Sequence, residues 1–186
     1  MNLKQLYEKR CAAPSDICEL LPALAELAAE CQAIAEFGVR RGHSTVALLY
    51  GLSETGGGIL HSFDRDQPAT KDEIDGAIIF SEIDPIWLFT QTDTSTVEIP
   101  EVDLLFVDTL HTYEQVRAEI RPDVLKNVHQ YIAFHDTELF GWRDEGREDA
   151  GPGIMPAILE RLAEDGGWIL HSYTRICNGL TVFERV

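Results

Sequence analysis

The sequence predicts an α/β domain of the Rossmann-like, doubly wound kind: a mostly parallel seven-stranded sheet with helices on both faces and an antiparallel C-terminal β-hairpin. Three observations carry this reading. Short apolar runs alternate with segments of helical periodicity along the chain, the pattern of a parallel sheet wrapped by helices. Val102–Asp108 is almost continuously apolar, as a strand buried on both faces must be. Two strand-like runs flank Asn178-Gly179 near the end, a strong hairpin signal.

In chain order, residues 1–30 read as an N-terminal helical segment packed on the domain. Ser15 or Asp16 can cap a helix that carries Ile17, Leu20, Leu21, Leu24, Leu27 and Ala28 at helical spacing. Leu3, Leu6 and Tyr7, ahead of Pro14, can fold back on the domain or pack on a second copy, so a homodimer is compatible with them. Ala33–Val39 is the first strand, ending in the turn Gly38-Val39-Arg40-Arg41-Gly42, and His43–Leu52 is a helix with Ser44 or Thr45 near its start. After Gly56-Gly57-Gly58 come the strand Ile59–Asp64, a helix over 70–83, and the strands Ile86–Gln91 and Val102–Asp108. His111–Ile120 reads as a helix limited by Pro122. Gln130–Asp136 is the fifth strand, 138–153 a polar, glycine-bearing surface loop, and Met155–Glu164 a helix. Trp168–Arg175 and Leu180–Glu184 form the hairpin. The 186 residues are expected to be one domain.

A net charge of −17, from 15 basic and 32 acidic side chains, disfavours nucleic acid and anionic membrane surfaces as partners. A small molecule or a sugar fits better. Cys11, Cys18, Cys31 and Cys177 lack CxxC spacing and read as reduced core residues. No signal-peptide core and no apolar run near the ~20 residues of a membrane span is present, so a soluble cytoplasmic protein is expected.

Chemistry is expected where strands end, because ligands of open α/β sheets bind beyond the carboxyl ends of the strands. Gly38 and Gly42 sit at a strand-to-helix turn with GxxxG spacing, short of a full GxGxxG; such a turn lets backbone approach a ligand or is simply tight. Asp64 closes the second strand and can accept the hydroxyls of a ribose, or stand in solvent. Asp108 closes the fourth, with His111 and Tyr113 opening the next helix, and could point at the cleft or cap that helix. His135-Asp136 closes the fifth. Asp108 and Asp136 could share a divalent cation through oxygen ligands, with His111 or His135 adding nitrogen. Alternatively one histidine is a general base.

The segments EFGVRRGHST, LHSFDRD, TQTDTS, VDLLFVDTLHTYEQV and YIAFHDT, in this order, resemble the class I S-adenosylmethionine (SAM)-dependent methyltransferases. The resemblance is nearest to the compact branch with sugar O-methyltransferases of antibiotic clusters and cephalosporin-cluster methyltransferase-like proteins, and covers about residues 30–186. It implies SAM as cofactor, with Glu36, Gly38, Gly42 and Ser44 around its methionine part, Asp64 on the ribose, Asp93 at the adenine and Asp108 beside the methyl-donor centre. It further implies roles for Asp108 and His111 at the reacting centre, metal ligands Asp108 and Asp136 for Mg²⁺ or Mn²⁺, and a small-molecule or sugar-like acceptor. His135, at the same strand end as Asp136, is a catalytic candidate from its position alone. The chain departs from the pattern at Thr109-Leu110, where the family has Gly-x, and at His135-Asp136, where metal-using relatives carry paired acids. A nicotinamide-dependent oxidoreductase and a non-catalytic SAM-binding subunit are the alternatives; the missing GxGxxG and the terminal hairpin count against the first.

Overall fold

The computed structural model describes residues 1–81, 83, 85–146 and 151–186. Seven strands form one sheet: β1 Ala33–Phe37, β2 Ile59–Asp64, β3 Ile86–Gln91, β4 Val102–Val107, β5 Val128–His135, β6 Trp168–Thr174 and β7 Leu180–Arg185. Their order is β3-β2-β1-β4-β5-β7-β6. The first five are parallel, and β7 runs antiparallel between β5 and β6. The expected fold class is therefore observed. Strand order reverses between β1 and β4, and the crevice at that switch point is where an open α/β sheet receives its ligand.

Helices α1 Leu3–Ala12, α2 Leu21–Ala28, α3 His43–Glu54, α4 Lys71–Ile79, α5 Tyr113–Glu119, α6 Pro122–Leu125 and α7 Ile154–Asp165 accompany the sheet. Two buried apolar clusters cover its two faces, one containing Leu24, Leu48 and Phe106, the other Leu105, Val116 and Phe134. No helix among the described residues is long and apolar enough to cross a membrane.

Four element expectations change. The helix expected to start at Ser15 or Asp16 is split. Asn2 caps α1 with a capping box, and α2 begins only at Leu21, behind a 3-10 turn over Cys18–Leu20. Pro22 explains this late start, because its fixed φ and missing N–H suit the first turn of a helix. Ser15 and Asp16 turn instead to His43 and Arg40. Leu3 and Leu6 fold back into the core, and Tyr7 stacks on Tyr50 at 4.3 Å. The helix expected over 70–83 stops at Ile79, where the Ser81 hydroxyl donates to the Ala77 carbonyl; residue 82 lies outside the described residues. Thr112, not His111, caps α5, and Pro122 opens the separate helix α6. The β6–β7 connection spans 175–179, one residue more than the expected 176–179 because β6 ends at Thr174, with Cys177, Asn178 and Gly179 all at positive φ.

Candidate active site

The glycine turn is dictated by a close approach. Gly38 has φ +89, and a Cβ there would lie 1.9 Å from the Asp108 carbonyl oxygen. The Asp108 N–H in turn donates to the Phe37 carbonyl at 2.9 Å. Only glycine lets the ends of β1 and β4 come this close. Gly42, also at positive φ, sits at the N-cap of α3.

Glu36 lies fully buried behind this turn. Its carboxylate accepts from Ser44 at 2.7 Å, Thr45 at 2.9 Å and Ser62 at 2.6 Å. Burial pushes its pKa up to about 7, against the pull of the three hydroxyls. Asp64 reaches across from β2. One carboxylate oxygen accepts the N–H groups of Val39 at 2.7 Å and Arg40 at 3.0 Å, and the other accepts Asp66 N–H at 3.1 Å. Asp93 accepts from the Ser95 N–H and hydroxyl and stands 3.7 Å from Arg65.

A cavity of about 410 Å³ opens at the switch point, bounded by Gly38, Asp64, Thr94, Asp108 and Gln115. A second, of about 240 Å³, shares Arg40 and Asp108 with it and is closed by Asp16, His43 and Ser44. Asp108 thus stands between the two, while Glu36 supports the wall of the second through Ser44.

Beyond Asp108 lies a tight cluster. His111 Nε2 is 3.3 Å from Asp108 Oδ1 and 3.0 Å from Asp136 Oδ2. His135 Nδ1 is 3.3 Å from both carboxylates, and its Nε2 is 2.9 Å from the Cys177 carbonyl. Burial alone would raise the Asp108 pKa, but the two histidines outweigh it and hold the carboxyl well below the usual range. Burial alone would lower both histidines; Asp108 and Asp136 reverse this and hold His135 at about 10. Asp136 adopts φ +59, and its Oδ1 is buried with no hydrogen-bond partner among the described residues.

The loop after β5, which the sequence offers either as a border of the substrate cleft or as a surface excursion, closes the cluster; residues 147–150 lie outside the described residues. Glu145 Oε2 is 2.9 Å from His111 Nδ1, and the Glu145 N–H donates to the His111 carbonyl at 2.9 Å. Phe140 stacks on the His111 ring at 5.1 Å. Asp144, buried, accepts the N–H groups of Tyr113 and Gly153. Trp142 is largely exposed on this loop.

The structure therefore brings Asp108, His111, His135 and Asp136 together, sets Gly38 and Asp64 on one cavity wall and Ser44 on the next, and leaves Asp93 at the rim. Sequence reasoning missed Glu119, Glu145 and Gln115. Glu119 left one signal: a carboxylate on the same helix face as the apolar Val116 and Ile120. Glu145 left none beyond the acidity of its loop.

Strand order β3-β2-β1-β4-β5-β7-β6, a glycine turn after β1 and acids closing β2 and β4 define the fold of the class I SAM-dependent methyltransferases. Residues 35–137 match the family model described as a methyltransferase domain, and the chain belongs to that family. The nicotinamide alternative is thereby set aside. No curated protein matches the chain. Solved structures of similar fold include cofactor-bound Rv0187 from MTB, 16% identical, with a TM-score of 0.67 over 98% of this chain and 89% of that one. The O-methyltransferase TomG from Streptomyces achromogenes, in complex with SAM, is 16% identical, with a TM-score of 0.64 over 94% and 82%. The SAH-bound methyltransferase PaMTH1 from Podospora anserina is 16% identical, with a TM-score of 0.56 over 99% and 87%.

Proposed function

We propose that the chain is a single-domain SAM-dependent O-methyltransferase acting on a small-molecule or sugar-like acceptor. The observation that carries this is the position of Asp108, which borders the cavity that Asp64 also lines and at the same time touches the His111/His135/Asp136 cluster. A nucleoside held at Asp64 would have its reactive end at Asp108, with the acceptor arriving on the cluster side. Asp64 spends its carboxylate on three backbone N–H groups yet keeps lone pairs for ribose hydroxyls. The net charge of −17 argues against a nucleic-acid acceptor.

Methyl transfer from a sulfonium is an in-line displacement, so the protein must align two groups and take a proton from the acceptor hydroxyl. His111 has carboxylates at both ring nitrogens, Asp108 and Asp136 at Nε2 and Glu145 at Nδ1, so it keeps its protons and orients the two aspartates. Asp136, whose Oδ1 has no partner among the described residues, is the proton acceptor in this reading. His135 is more enclosed and serves to hold the two carboxylates together.

The residues also fit a divalent cation. Asp108, His135 and Asp136 offer ligand atoms within 4.8 Å of one another. The unpartnered Asp136 Oδ1 has a lone pair to give, and the Cys177 carbonyl takes the far N–H of His135, as an outer partner of a metal-binding histidine does. A cation there would lower the pKa of an acceptor hydroxyl. The mixed oxygen and nitrogen set suits Mn²⁺ better than Mg²⁺.

Isothermal titration calorimetry with SAM and S-adenosylhomocysteine tests the cofactor. Both should bind, and Asp64→Ala should abolish binding; no binding of either by the wild-type protein would overturn the reading. Titration of Mn²⁺ alone tests the metal: heat that disappears in Asp136→Asn supports it, and no heat refutes it.

A further inference from the structure

Glu119 is a buried carboxylate for which the proposed chemistry has no use. It is the last residue of α5, beside the buried Val116 and the C-cap Ile120, and is fully shielded from solvent. Burying a carboxylate there costs free energy that leucine would not, unless the group has a task. Its two oxygens gather three donors from three different elements. Thr94, after β3, donates to Oε1 at 2.5 Å; Gln115 Nε2, on α5, donates to Oε1 at 2.8 Å; Thr109, after β4, donates to Oε2 at 2.8 Å. These three residues line the 410 Å³ cavity.

Hydrogen bookkeeping then fixes the polarity of that wall. A threonine hydroxyl carries a single hydrogen, so Thr94 and Thr109, once bonded to Glu119, have only lone pairs left to offer. Gln115 gives one amide hydrogen to Glu119 and directs the other at Thr94 Oγ1, 3.4 Å away, which leaves its Oε1 as an acceptor. Asp64, Asp108, Arg40 and Arg65 also line the cavity; with the ribose at Asp64 and the sulfonium at Asp108, the Thr94–Gln115 end is left for the base of a nucleoside. Adenine presents a 6-amino donor; a 6-keto purine presents an acceptor and repels a wall of lone pairs.

We propose that Glu119 is the specificity-determining residue of the cofactor pocket: by drawing the hydrogens of Thr94, Thr109 and Gln115 onto itself, it leaves an acceptor-lined wall that selects a 6-amino over a 6-keto purine. The inference rests on the SAM reading and names a determinant which that reading does not contain.

The test is competitive calorimetry with S-adenosylhomocysteine and its deaminated analogue, S-inosylhomocysteine. Wild-type protein should favour the adenosyl ligand by about 10- to 100-fold, the effect of one lost hydrogen bond plus acceptors left facing an acceptor. Glu119→Gln frees a hydroxyl hydrogen to turn into the cavity, and the ratio should fall to within about three-fold. Thr94→Val removes one acceptor together with its hydrogen bond to Glu119, which keeps Gln115 and Thr109; it should narrow the ratio as well and carries the test if Glu119→Gln melts without a cooperative transition. A merely structural Glu119 would weaken both ligands in parallel and leave the ratio unchanged, which overturns the inference. Equal binding of both ligands by the wild-type protein overturns it too, with the cofactor reading intact. Binding of neither overturns both.

Discussion

Replacing Glu36 by glutamine should change the pH dependence of stability in a way that can be worked out beforehand. The carboxyl is wholly buried, and burial moves its pKa from the ordinary 4.5 to about 7. In the unfolded chain the group ionises near 4.5. Between pH 4.5 and 7 the unfolded state therefore binds fewer protons than the native state, and native stability falls as pH rises. The fall is complete above pH 7 and amounts to about 3 kcal/mol, at ~1.36 kcal/mol for each pH unit between the two values. The three hydroxyls from Ser44, Thr45 and Ser62 can rotate to suit an amide, so Glu36→Gln should keep the geometry and lose the titration. His111 and His135 also titrate differently in the folded state, since their raised pKa values contribute stability that is lost as pH climbs above 6.5. That contribution is common to both proteins and cancels in the difference. Urea unfolding of variant and wild type, from pH 4 to 8.5, should give a difference curve that climbs by about 3 kcal/mol in favour of the variant and then levels off. A difference that stays flat across this range would refute the argument, because the carboxyl would then ionise in the folded protein as it does in the unfolded chain.

Two further outcomes follow from the geometry. Gly38→Ala puts a methyl 1.9 Å from the Asp108 carbonyl oxygen at φ +89; urea unfolding should show a loss of at least about 2 kcal/mol, and a loss below ~0.5 would mean that β1 and β4 can separate freely. Glu145→Ala should free the His111 ring, so that nitrogen NMR no longer finds its proton fixed on Nδ1, whereas Glu145→Gln should keep it there. S-adenosylhomocysteine affinity should stay unchanged in both, and an unaltered ring in Glu145→Ala would exclude the positioning role.

Much of this protein was readable in one dimension. Ile59–Asp64 and Ile86–Gln91 begin and end where their apolar runs do, because a strand's side-chain pattern is local and the chain turns where that pattern stops. The acids that close β2 and β4 were legible for the same reason, as was the pairing of Asp108 with Asp136, since adjacent parallel strands place their carboxyl ends side by side. The split of the N-terminal helix was less legible: Ser15 and Asp16 have cap chemistry, but their partners His43 and Arg40 lie in another part of the chain.

What only the tertiary structure decided is which polar groups meet. Glu145 reaches His111 across 34 residues, the Cys177 carbonyl reaches His135 across 42, and Thr94 reaches Glu119 across 25. Each contact depends on the path of a loop, and no periodicity records that path. The sequence determines the strands and the acids at their ends through local spacing; the closed chain determines where each proton sits, because hydrogen bonds a few ångströms long are set by the packing of the whole sheet.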